Sequence, residues 1–281
     1  MGKLIYLPHT LDDEVVKDGL CAVSTLDHDP NAKDIYFVVG GVATQSYLPT
    51  LCRRSTSDID LALLRPLNYS DFKSISKNPC EFLEDNGYTV ESKKGRFTHM
   101  IVYTKDENSG VIEFPVRSPA NYSRWQHILE EEYLNTRRKL VEGCSSQYTY
   151  TVAGTEDIAA PKLMRSVHAL KDQPPLIEDI SKGLPHALSE REIIGRLEEI
   201  DEFRNTVSRD PNNMLLLRRL RFISDLYDIR ILSEVPGFNE RQLEKSIDLW
   251  DLLKTPSPQR DAVFRYSLPR VDLNNFNYRS T

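Results

Sequence analysis

No apolar run in the chain approaches the roughly 20 residues that a membrane-spanning helix needs, so no membrane partner is expected. Cysteine is sparse. Cys21, Cys52, Cys80 and Cys144 stand far apart without a CxxC pair, which argues against both a zinc ribbon and a disulfide framework. The six histidines include no HExxH and no pair at ligand spacing, leaving none with a metal role. Positive charge is not in excess either. A formal charge of -6 excludes indiscriminate coating of nucleic acid, which needs a broad field of Lys and Arg, although a local basic groove remains compatible with it. The opening MGKLIYLPHTLDDEVV shows neither a basic segment leading into an apolar one nor a myristoylation pattern, and a cytoplasmic protein is expected.

With 40% hydrophobic and 28% charged residues over 281 positions, the composition is that of a globular protein long enough for two modest domains. Periodicity divides it near residue 153. Before that point strands and helices alternate. The spacing predicts a helix over 10–24, a buried strand in DIYFVVGG, and a short helical stretch broken near Pro49. A strand comes next in SDIDLALL, then a helix over 70–86. A hairpin of YTVES and FTHMIVYTK leads through an Asn108-Ser109-Gly110 turn into the strand VIEFPV. A long charged helix is expected over 121–142, and QYTYTVAG reads as a last strand. From residue 155 the period is helical, at 155–171, 176–182, 190–207, 212–234 and 239–254, with a surface-lying tail from Thr255. The expectation is an α+β fold, with a mixed-sheet core over 1–153 and a helical domain over 154–281.

One stretch carries chemistry. Gly40-Gly41 ends an apolar strand, Arg54 and Thr56 lie beyond it, and Asp58-Ile59-Asp60 opens the next strand. Two carboxylates separated by one residue on a strand point to the same face, with backbones about 6 to 7 Å apart at a rise of roughly 3.3 Å per residue. They can converge on hard divalent cations such as Mg²⁺ or Mn²⁺. Transfer from a nucleoside triphosphate (NTP) needs charge stabilisation on the phosphoryl oxygens and an activated hydroxyl, which carboxylate-bound metals supply. Glycines lacking Cβ let backbone N–H groups approach the triphosphate at a helix start. Glu113, in VIEFPV, is the candidate third metal ligand. Taken singly, each feature has an ordinary structural explanation, and the motif is specific only as a composite.

The stretch VVGGVATQSYLPTLCRRSTSDIDLALL resembles the opening signature of the AbiEii-type nucleotidyltransferase-like toxins, within the DNA polymerase β-like superfamily. Arg54, Thr56, Asp58 and Asp60 match its Arg-x-Ser/Thr-x-Asp-x-Asp run. Lys162 in TEDIAAPKLMRSVHALKD and Asp179 in LIEDIS match its later helical Lys and acidic motif. The resemblance covers about residues 35 to 185. It implies a polymerase β-like nucleotidyltransferase core followed by a helical half. It also implies that Lys162 contacts the donor triphosphate, with Gly40, Gly41, Arg54 and Thr56 supporting it, and that Asp179 orients Lys162 or a proton relay. The expected catalytic set is therefore Asp58, Asp60, Lys162 and Asp179. The family includes toxin halves of toxin–antitoxin modules, some of which add nucleotides to the 3′ end of tRNA. An RNA acceptor and an antitoxin encoded nearby are accordingly expected. Two alternatives stay open: transfer to a small molecule or protein side chain, and a catalytically silent binding module.

Overall fold

The computed structural model describes residues 10–54, 56, 58–172, 214–250, 258–269 and 271. The helices expected over 176–182 and 190–207, and with them Asp179, lie outside the described residues. The protein is α+β, with a seven-stranded mixed sheet and, among the described residues, nine α-helices. It divides into two compact units, one of residues 1–46 with 55–154, the other of residues 47–54 with 155–281.

In the first unit the strands are β1 (Tyr36–Val39), β2 (Ile59–Leu63), β3 (Thr89–Lys93), β4 (Thr98–Lys105), β5 (Asn108–Pro115), β6 (Arg137–Leu140) and β7 (Thr149–Val152). Their spatial order is β3-β4-β5-β2-β1-β7-β6, so β2 is central. β2 runs antiparallel to β1 and parallel to β5. Helix α1 (Glu14–Ser24) packs across β5, β2 and β7 and buries Val15, Val16, Leu20 and Val23. The approach is close at Gly19, where a Cβ would lie 2.1 Å from Tyr103 Oη and 2.7 Å from Ile59 Cδ1. Tyr103 donates its hydroxyl proton to the Val15 carbonyl at 3.0 Å, locking helix to sheet. Because side chains alternate along a strand, Ile59, Leu61 and Leu63 face α1, and Asp60 belongs to the opposite face. On that face the Tyr133 ring of α5 (Pro119–Leu134) stands 6.1 Å from Phe37. Local chemistry sets the helix starts: Asn68 caps α3 (Tyr69–Ile75) by accepting from Asp71 N, and Ser118 caps α5 by accepting from Asn121 N, with Pro119 in the first turn.

Several boundaries differ from the sequence expectation. The helix expected over 70–86 is two, α3 and α4 (Lys77–Asp85), joined at the buried Ser76. The helix expected over 121–142 ends at Leu134, and Arg137-Arg138-Lys139 belongs to β6, an edge strand paired only with β7. Charged residues suit an edge, where they discourage further strand pairing. The β4–β5 turn falls at Asp106-Glu107 instead of Asn108–Gly110, with Asp106 at φ 55, a left-handed conformation that Asp tolerates.

The second unit has helices α6 (Thr155–Asp172), α7 (Met214–Leu232), α8 (Glu240–Leu249) and α9 (Pro258–Ser267). α6 contacts the other three. Ala159, Ala160, Leu163, Leu226, Ile229, Leu243, Ile247, Val263 and Phe264 form its core. α9 corrects the expectation of an extended tail. Pro258 falls in the first turn, where its missing N–H costs nothing, and Val263 and Phe264 then reach the core.

Replacing Gly19 by Ala should force α1 away from Tyr103, lowering unfolding free energy by about 1–3 kcal/mol. Urea denaturation measures this, and an unchanged midpoint would contradict the tight helix–sheet contact.

Candidate metal centre

Asp60 and Glu113 are register partners across the parallel β2–β5 pair, which sets their backbones about 4.8 Å apart on one face. Asp58 stands one residue before β2, and the alternation that points Ile59 toward α1 turns Asp58 to the side of Asp60. One carboxylate oxygen each from Asp58, Asp60 and Glu113 lies within 4.8 Å of the other two, and all three residues are half-buried. Octahedral Mg²⁺, with ligand oxygens at about 2.1 Å, sets neighbouring ligand oxygens about 3 Å apart and opposite ones about 4.2 Å apart, so modest side-chain rotation closes these three around a cation. The donors are all hard oxygens, the chemistry Mg²⁺ and Mn²⁺ prefer.

Gly40 adjoins this cluster. Val39 pairs with Asp60 across the antiparallel β1–β2 ladder, and the chain then turns at Gly40, with φ +73, into α2 (Gly40–Gln45). A Cβ at Gly40 would lie 2.0 Å from Asp60 Oδ2. Glycine is thus required twice, by the left-handed backbone and by the space the Asp60 carboxylate occupies. Gly41 comes next, in the first turn of α2, where backbone N–H groups lack intrahelical partners. As α2 spans six residues, those amides matter more than any long macrodipole. Thr56 is buried at 5% exposure.

Arg54 and Lys162 belong to the second unit, and there they meet two carboxylates that sequence reasoning missed. Lys162, 4% exposed, donates to Asp228 Oδ2 at 2.8 Å and to Asp225 Oδ1 at 3.2 Å. Arg54 grips Asp228 through Nε at 2.8 Å and Nη2 at 2.6 Å. Arg165 grips Asp225 in the same two-pronged way, at 3.0 and 2.7 Å. Tyr227 donates to the Cys52 carbonyl at 3.0 Å, tying the 47–54 segment to α7. Burial alone would raise the Asp228 pKa, but Arg54 and then Lys162 outweigh it and hold the group down at about 2. For Asp225 burial also pushes upward, and Lys162 followed by Arg165 brings the net shift below the ordinary value. The signal was present as two complementary i, i+3 pairs, Lys162 with Arg165 and Asp225 with Asp228, each on one helix face. Nothing in the sequence showed that they face each other.

The structure therefore brings Asp58, Asp60, Glu113 and Gly40 together in one unit, and Arg54 with Lys162 in the other. No protein-family model matches the chain, and no curated protein does.

Asp228 has a folded pKa below its ordinary value of 3.8, so its ion pairs stabilise the protein fully above that value and lose this contribution as pH falls toward about 2. The shift corresponds to about 2 kcal/mol. Asp228→Asn should cost about 3–5 kcal/mol at neutral pH, since it leaves buried cations without their carboxylate. Denaturant unfolding from pH 7 to pH 2 should show the gap between wild type and variant narrowing below about pH 4. A gap independent of pH would contradict the assignment.

Proposed function

We propose that this chain is a Mg²⁺-dependent nucleotidyltransferase with a polymerase β-like core. It transfers a nucleotide from an NTP to RNA, most simply the 3′ end of tRNA, as the toxin half of a toxin–antitoxin module. The observation that carries the reading is the convergence of Asp58, Asp60 and Glu113 within 4.8 Å beside the Gly40 bend. A strand leading into Gly-Gly, an antiparallel neighbour bearing Asp60 with Asp58 just before it, and a third carboxylate from the next strand support a polymerase β-like arrangement.

Divalent ions held there would neutralise charge on the triphosphate and lower the pKa of the attacking hydroxyl. The protein's part is geometric. The β2–β5 register fixes Asp60 against Glu113, and Asp58 closes the third side. Gly40 and Gly41 leave the approach to the carboxylates free of side chains, so backbone N–H groups can meet phosphate oxygens. The acceptor hydroxyl oxygen forms a bond to the α-phosphorus, the bond to the bridging oxygen breaks, and pyrophosphate and a proton depart. Lys162 and Arg54 come to the donor triphosphate by the resemblance, as does the role of Asp179.

Incubation with α-labelled NTPs, Mg²⁺ and total tRNA should label tRNA. Asp58→Ala and Asp60→Ala should each reduce labelling at least 100-fold while leaving thermal unfolding cooperative. Label appearing in protein or in a small molecule would reassign the acceptor, and absence of any transfer would overturn the reading. Independently, Gly40→Ala should weaken Mn²⁺ binding in calorimetry at least tenfold by displacing the Asp60 carboxylate. Unchanged affinity would remove Asp60 from the ligand set.

A further inference from the structure

The loop joining β3 to β4 has a composition unlike the rest of this acidic chain: Lys93-Lys94-Gly95-Arg96-Phe97. Phe97 is 73% exposed, an unusual position for a ring, and the Arg96 guanidinium stands 5.0 Å from its centroid. Lys94 Nζ stands 5.5 Å from the Tyr69 ring, and Lys73 Nζ, from α3, stands 5.0 Å from the same ring. Two ammonium groups are thus held near one aromatic post. Lys93 is already paired with Glu91 at 3.2 Å. Among the described residues Lys73, Lys94 and Arg96 make no ion pair. His99 lies beneath, 2% exposed against Tyr69 and Phe72, and burial with Lys94 nearby lowers its pKa, so it stays neutral and adds no cation.

Position gives the loop its interest. Thr98 pairs with Pro115, and Met100 pairs with Glu113, two residues along the same ladder. The base of the loop is therefore about 7 Å along the sheet from the row that carries Glu113, but Tyr69 and Phe72 pack on His99 and Phe114, so α3 and the cations around Tyr69 lie on the face of the sheet opposite Asp60 and Glu113. We infer that the β3–β4 loop and the adjoining helix α3 form a binding surface for single-stranded RNA, in which Lys73, Lys94 and Arg96 meet phosphates and Phe97 stacks on an unpaired base. Single strands suit it because their bases can be splayed onto an exposed ring, whereas those of a duplex are already stacked. The small number of cations makes the surface local, in keeping with a net charge of -6. The surface lies apart from the row of Asp60 and Glu113, and its binding of RNA can be measured without catalysis.

The experiment is fluorescence anisotropy with a labelled 12-nucleotide single-stranded RNA on the full chain, without NTP. Wild type and Asp60→Ala should bind equally. Phe97→Ala should weaken binding about tenfold with an unchanged salt dependence, and Lys94→Ala should lower the slope of log affinity against log salt by about 0.7. Lys94 and Phe97 are exposed, and matched thermal unfolding confirms intact variants. Equal binding by wild type and both variants, no binding by any of them, equal affinity for a duplex of the same sequence, or equally effective competition by poly-glutamate would each overturn the proposal. RNA binding that behaves as expected in a protein that transfers no label supports the surface and counts against the catalytic reading alone.

Discussion

Carboxylates brought close together repel, by about 4 kcal/mol for unit charges 4 Å apart at an effective dielectric of 20. The central constraint in this protein is the β2–β5 register, which places Asp60 beside Glu113 regardless of that repulsion. A strand pair cannot relieve it by sliding, because a one-residue slip would turn Ile59, Leu61 and Leu63 out of the core facing α1. The packing of α1, down to the missing side chain at Gly19, therefore pins the acids from the far face of the sheet. Gly40 presses on Asp60 from the β1 side, so the carboxylate has little freedom there. A divalent cation is the chemical species that would turn this stored repulsion into binding.

The second unit meets the same electrostatic problem with permanent partners. Asp225 and Asp228 are almost fully buried, and Arg54, Lys162 and Arg165 surround them with directed hydrogen bonds. Within it each carboxylate has a two-pronged arginine and shares one lysine. The Asp58, Asp60 and Glu113 group is half-buried and composed of acids.

Much of the sheet is legible in the sequence because strands announce themselves locally. DIYFVVGG and SDIDLALL give β1 and β2, and the alternation of VIEFPV singles out Glu113 without any knowledge of strand pairing. What the sequence withholds is long-range. Ser76 divides a helix whose apolar spacing reads as continuous, and the RRKL segment is an edge strand because β7 is there to pair with it. Pro258 falls in a stretch that reads as a surface-lying tail yet starts a helix, and it is the packing of Val263 and Phe264 into the core that decides for the helix. Asp225 and Asp228 sit within the stretch 212–234, whose period reads simply as a helix, although two buried acids on one helix face require cations elsewhere in the fold.

The most direct measurement is anomalous diffraction from crystals soaked with Mn²⁺ and a non-hydrolysable NTP. The account predicts manganese peaks in contact with Asp58, Asp60 and Glu113, with the triphosphate running over Gly40 and Gly41. Manganese found elsewhere, with these three carboxylates bare, would contradict it.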